Sequence, residues 1–278
     1  MLFLILAILS SAAVSIVMRI SSDKISANLS MLATNYLVCA ILGACYAEFD
    51  LLAVNTTGFG ISVLLGLVSG MLYLAGFVML QKSIRKNGVV LSSMFMKLGL
   101  LVPIVMSVIL FGEVPTLLQL RGFILAIGAI IVVNLKKDTE VKGFGMGLIL
   151  LLFLGGGCDA MSKIYEVYGP VSLSQAYLCY TFFTAFLLCL GLTVLQKERP
   201  GARELIYGTL IGIPNFFSAK FLLGALSRLP AVVVYPSFSV ATLLLITLTG
   251  VVVFKERLSK IQWLALAAIV AALILLNI

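Results

Sequence analysis

Three lysines and one aspartate stand inside long apolar runs of this chain: Lys97, Lys163, Lys220 and Asp159. A charged side chain surrounded by hydrocarbon is costly, and it persists where it faces a water-filled cavity, a partner of opposite sign or a ligand. Lys97 falls nine residues into its run, roughly 13 Å along a helix and too deep for easy snorkelling. Its two readings are a fixed positive charge for an anionic or carboxylate-bearing substrate, and a structural ion pair or snorkelling lysine. Asp159 and Lys220 each fall sixteen residues into their runs, a shared depth of roughly 24 Å. They are expected to pair, either as a structural bridge or as a switch coupled to a proton or substrate. Lys163 lies one turn beyond Asp159, and Arg19 closes the first run. Both read as snorkelling residues or as gate charges at the two mouths of a cavity.

Uncharged groups add to this set. Asn35 and Cys39 are one turn apart, with Tyr36 beside them, and Tyr73 and Phe77 repeat at the same spacing. Asn215 and Phe216 follow Pro214, and Tyr235 precedes Pro236. A proline at membrane depth frees a backbone carbonyl and permits a bend, which aims Asn215 and Tyr235 inward. Each of these residues reads as a substrate contact or as ordinary packing. Glu113 and Glu256 end apolar runs at opposite faces; they read as loop caps pairing with Arg121 and Arg257.

Much chemistry is absent. The chain has no histidine, which removes imidazole metal sites and imidazole acid–base catalysis. Its five cysteines, Cys39, Cys45, Cys158, Cys179 and Cys189, include no C-x-x-C pair and read as thiols in helix packing. Asp159 is the only acid placed inside a run, so neither an aspartyl protease nor a magnesium-binding aspartate pair can be assembled. No G-x-x-x-x-G-K-[ST] loop is present, which argues against direct ATP drive. No cofactor or metal is expected.

The elements that must position these residues are membrane helices. Of 278 residues, 62% are hydrophobic and 11% charged, against about 25% charged in soluble domains. The mean hydropathy is +1.20. Apolar runs long enough to cross a hydrocarbon core of about 30 Å recur throughout. Ten helices are expected, at 2–19, 29–47, 58–80, 88–111, 116–135, 143–165, 173–195, 204–226, 231–254 and 259–277. Leu2 to Met18 lacks a basic leader and an A-x-A-like site, so it reads as the first helix and not a signal peptide. Gly155-Gly156-Gly157 reads as a hinge or as close helix packing.

Fourteen lysines and arginines fall in the odd-numbered loops, and only Arg121 and Arg228 in the even-numbered ones. That bias puts the odd loops in the cytoplasm and both termini outside. It also explains the net charge of +8 without a nucleic-acid partner; the partners expected are a bilayer and a small-molecule substrate, and the choice between monomer and homodimer stays open.

A shift of 143 residues lays 70–135 on 213–278 without a gap. Arg85 meets Arg228, Phe95 meets Phe238, Glu113 meets Glu256 and Gln119 meets Gln262. Neighbouring shifts pair Gly66-x-x-x-Gly70 with Gly208-x-x-x-Gly212 and Arg19 with Lys163. With five helices per half, the second half must run the opposite way. The expected fold is an all-α membrane protein of two inverted five-helix repeats, 1–137 and 138–278, an arrangement common in secondary transporters.

Phe111-Gly112-Glu113-Val114-Pro115, Phe254-Lys255-Glu256-Arg257-Leu258-Ser259 and Gly157-Cys158-Asp159-Ala160-Met161-Ser162-Lys163 resemble signatures of the drug/metabolite transporter superfamily. With the period and length, the chain resembles the ten-helix group of two EamA-type repeats. The resemblance implies helices 1–4 and 6–9 around a central cavity, helices 5 and 10 outside, and export or exchange of amino acids, other metabolites or drugs. Small relatives of that superfamily carry a helix 1 glutamate for cationic drugs; none stands here. The basic residues favour a secondary transporter for an amino acid or carboxylate-bearing compound. A flippase for a lipid-linked sugar or polyprenyl phosphate, or a multidrug exporter, is the alternative. Short loops suit a bacterial inner membrane.

Overall fold

A computed structural model of the chain describes residues 1–47, 56–99, 146–226, 228–229 and 231–275, with scattered positions between 101 and 128. The helices are α1 (Leu2–Ser21), α2 (Asn28–Ala47), α3 (Phe59–Leu98), α4 (Met146–Tyr168), α5 (Ser174–Leu195), α6 (Ala202–Leu226), α7 (Ala231–Val252) and α8 (Lys260–Leu275). A 3₁₀ turn, Val171–Leu173, leads into α5. Among the described residues there is no strand. Six stretches among the described residues are long and apolar enough to cross a membrane: α1, α2, α3, α4, the turn with α5, and α6. Large side chains such as Leu64, Phe153, Leu210 and Leu248 stand exposed, a coat suited to lipid. The chain is an all-α, multi-pass membrane protein.

α3 covers the expected helix 58–80 and the first part, 88–98, of the expected helix 88–111, most of whose remainder lies outside the described residues. Its 40 residues would reach about 60 Å if straight, twice a hydrocarbon core. It is broken at Gly88, whose φ of 79° and ψ of 167° fall where only glycine is at ease. The helix runs on through 81–87, where a loop was expected, and restarts after Gly88 as a second arm carrying Lys97. Most of the expected helix over 116–135, and Glu113, lie outside the described residues; 117–118, 120–122 and 124–125 are helical. At α8, Ser259 and Gln262 form a capping box, with backbone N–H groups donating to Gln262 Oε1 at 2.8 Å and to Ser259 Oγ at 3.3 Å.

Helices pack across the chain more than along it. α2 lies against α5 and α6, α3 against α4 and α5, and α1 against α6 and α7. Small residues allow the closest approaches. A Cβ on Gly70 would sit 2.5 Å from the Thr181 carbonyl of α5, and one on Gly212 2.8 Å from the Asn35 carbonyl of α2. The glycine triplet settles as packing: α4 runs unbroken through it, and a Cβ on Gly156 would run into the Gly99 carbonyl. Tyr36, Phe77, Tyr73, Phe182 and Phe216 meet as a chain of rings at the centre.

Candidate functional site

The centre of the bundle holds a cavity of about 120 Å³, walled by α1, α3, α4, α6 and α7. Lys97 and Asp159 both line it, with Tyr73, Phe77 and Asn215. Lys97 reaches it because Ser93, Met96 and Lys97 share one stripe of the arm after Gly88. Its ammonium lies 4.1 Å from the centroid of the Phe238 ring on α7, a cation–π distance. Asp159 projects from α4 within electrostatic reach of Lys97. Among the described residues no ion pair within 4.0 Å joins Asp159 to Lys97 or to Lys220.

The expected Asp159–Lys220 pair does not form. Lys220 does not line the cavity; it packs on the Tyr46 ring, 2.8 Å from its centroid. Depth along a helix is only half of an address. At about 100° per residue, the cavity-lining Asn215, Ser218, Ala219 and Leu222 share one face of α6, and Lys220 points away from it.

Asn35 and Tyr36 stand behind the wall. Tyr36 is fully buried, donates to the Tyr73 carbonyl at 2.8 Å and meets Phe77 edge-on. Asn35 accepts from Asn215 Nδ2 at 3.2 Å, while its own Nδ2 has no partner. The Tyr235 side chain lies outside the described residues. Cys39, Cys179 and Cys189 are buried as expected, but Cys45 is exposed and Cys158 lines the cavity. The sequence reading missed four wall serines, Ser11, Ser15, Ser93 and Ser218, and Phe238. A signal was present for some: Ser11 and Ser15, and Ser93 and Lys97, are four residues apart, the spacing of one helical face.

A second polar region closes one end of the bundle. Left-handed Lys255 (φ 54°) turns the chain after α7, so that the Glu256 carboxylate accepts from the Val89 and Val90 N–H groups at 2.9 and 3.3 Å. Gly88 is required here twice: a Cβ would sit 2.9 Å from Glu256 Oε2. Glu256 is thus a cap, as expected, though for the second arm of α3. Its ion-pair partner is Arg19, with Nε 3.6 Å away, in place of Arg257. Arg19 also donates to Ser22 and Asp23, each at 2.9 Å, and faces the Phe254 ring. That guanidinium holds the Asp23 carboxyl below its ordinary value. Glu204 accepts from the Ser26 and Ala27 N–H groups at 3.2 and 3.3 Å, and Glu198 from Ser30 N–H at 3.0 Å. These carboxylates serve the N–H groups at and just before the start of α2, which have no partner within the helix. Lys163, expected as the other gate, pairs along its own helix with Glu166 at 3.4 Å.

The chain is similar to proteins of known family. The EamA-like transporter family model matches residues 1–135. A probable glucose uptake protein of Staphylococcus epidermidis is 30% identical over 262 residues, covering 85% of this chain and 86% of that protein. An uncharacterized protein of Haemophilus influenzae is 27% identical, covering 95% and 93% of the two chains. A solved crystal structure superposes at a TM-score of 0.62 over 99% of this chain and 94% of its own, with 15% identity. That last likeness concerns the fold. With the family match over the first half and the relative that spans most of its length, this membrane protein belongs to the EamA-like transporter family.

Proposed function

We propose that this transporter is secondary, that the central cavity is its substrate site, and that it moves a small metabolite by alternating access, with an amino acid or carboxylate-bearing compound favoured. The observation that carries this is the meeting of Lys97 and Asp159 in one cavity without a direct ion pair between them. Buried charges that serve the fold are paired or hydrogen-bonded. These two keep bonding capacity for a ligand.

Ten helices in two inverted repeats, 1–137 and 138–278, suit the packing. Exchanging the halves turns the α2–α6 contact into the α3–α5 contact and α1–α6 into α3–α4, and all four occur. The Gly66/Gly70 and Gly208/Gly212 pairs do the same job in each. With both termini outside a bacterial inner membrane, as the loop charges favour, the end closed by Arg19 and Glu256 is cytoplasmic. Arg19 is then the inner gate and Lys163 the candidate outer one.

A sugar is the second reading. It is favoured by the name of the Staphylococcus epidermidis relative and by the hydroxyls of Ser11, Ser15 and Ser218 at the cavity. The test is reconstitution of the purified protein in liposomes with a labelled panel of amino acids, carboxylates, sugars and organic cations. Uptake of a carboxylate-bearing compound that disappears in Lys97→Ala supports the reading. Uptake that survives the substitution removes Lys97 from the site, and a protein that moves nothing on the panel overturns the cavity assignment.

A further inference from the structure

The cavity has two electrical poles, and a buried hydroxyl beside one of them. Ser93 is 2% exposed, lines the cavity, and its Oγ has no hydrogen-bond partner. It lies one turn before Lys97 on the same stripe of α3. A buried hydroxyl left unpaired is destabilising, so it persists where something else completes it. Its neighbour Ser92 is fully engaged, donating to the Gly88 carbonyl at 2.7 Å and sharing a hydrogen bond with Ser83. Lys97 has the Phe238 ring as its described contact. Across the cavity Asp159 supplies the opposite charge.

Resting on the reading of this cavity as the substrate site, we infer that it selects a zwitterion, whose anionic group is taken by Lys97 and the Ser93 hydroxyl and whose cationic group is taken by Asp159. Each simpler ligand leaves a charge stranded. A plain carboxylate answers Lys97 and is repelled by Asp159. An organic cation answers Asp159 and is repelled by Lys97. A hexose hydrogen-bonds to both and neutralises neither. A zwitterion adds no net charge to a low-dielectric site and answers both poles, which is where charged hydrogen bonds are strongest. Tyr73, Phe77 and Phe238 complete the wall, so the body of the ligand between or beside its charges is apolar.

The test uses the full chain in proteoliposomes and four labelled probes: phenylalanine, 3-phenylpropionate, phenethylamine and glucose. The first three share one apolar body and differ only in their charges. The expected result is transport of phenylalanine, with each single-charge analogue weaker by at least about tenfold, the scale of one lost charged contact. Asp159→Asn is expected to erase the preference over 3-phenylpropionate, Lys97→Gln the preference over phenethylamine, and Ser93→Ala to weaken phenylalanine and 3-phenylpropionate alike while leaving phenethylamine unmoved. Wild-type selectivity decides the matter even if a variant fails to fold. Equal transport of phenylalanine and either analogue overturns the two-pole site, as does an Asp159→Asn protein with unchanged selectivity. Transport of glucose alone overturns it too, and leaves the cavity as a substrate site for a sugar. Transport of none of the four overturns the two-pole site together with the reading on which it rests.

Discussion

The central cavity and the closed end of the bundle use the same residue types to opposite effect. At the closed end Glu256, Glu204 and Glu198 each accept from backbone N–H groups, and the Arg19 guanidinium reaches Ser22, Asp23 and Glu256, although its Nε makes no hydrogen bond. In the cavity Lys97 and Asp159 face each other without a direct bond, and the Ser93 hydroxyl stands alone. On the function proposed above, the difference separates charges that hold helices in place from charges kept for a ligand. Residue type does not separate them: Arg19 closes one apolar run and Lys97 lies nine residues into another, and which of them finds an ion-pair partner is decided by the packing.

Substitutions should divide along the same line. The largest effect belongs to the cavity and is on transport: Lys97→Gln or Asp159→Asn is expected to lower initial uptake into proteoliposomes by about a hundredfold, near 2.7 kcal/mol. Thermal melting in detergent should change far less than transport, because no direct ion pair within 4.0 Å is broken. A cavity variant that melts early and still transports would merge the two regions. Next is Glu256→Ala, which strips the cap from Val89 and Val90 and leaves Arg19 without its partner across the bundle. A loss of about 2 kcal/mol is expected, read as a lower melting temperature. Glu204→Ala removes one carboxylate from two N–H groups of α2, and about 1 kcal/mol is expected by the same measurement.

The smallest effect is at Asp23, which is exposed. Asp23→Asn should shift stability by less than about 0.5 kcal/mol. Its pH dependence has a definite sign. A carboxyl whose value is lowered on folding stabilises above its ordinary value and loses that contribution as pH falls through the lowered one. The Arg19–Asp23 contact should therefore survive acidification to below pH 3.8, seen as a melting curve unchanged between pH 7 and pH 4 relative to Asp23→Asn.

The class of protein was legible without coordinates. Hydrocarbon admits only structures that satisfy their own backbone, so runs of apolar residues in a chain with 11% charge must be membrane helices. Their boundaries agree with α1, α2 and α5 to within two residues. Lys97 and Asp159 were also legible, since a charge at membrane depth needs a reason. A break between the expected helices 58–80 and 88–111 was legible, although the arm before Gly88 runs on through 81–87.

Partnership was decided only by the tertiary structure. Asp159 and Lys220 share a depth, and depth follows from counting residues. Direction around a helix axis, and which helix stands opposite, do not. Rotation of α6 turned Lys220 onto Tyr46, and packing of α3 against α4 brought Asp159 to Lys97. Glu256 found Arg19 and the start of the second arm of α3, more than 160 residues away in the chain, because the bundle puts those ends together. A single chain's sequence carries hydrophobicity and periodicity, which are local. The pairing of buried polar groups depends on how helices distant in sequence are rotated and apposed, which close packing settles for the whole bundle at once.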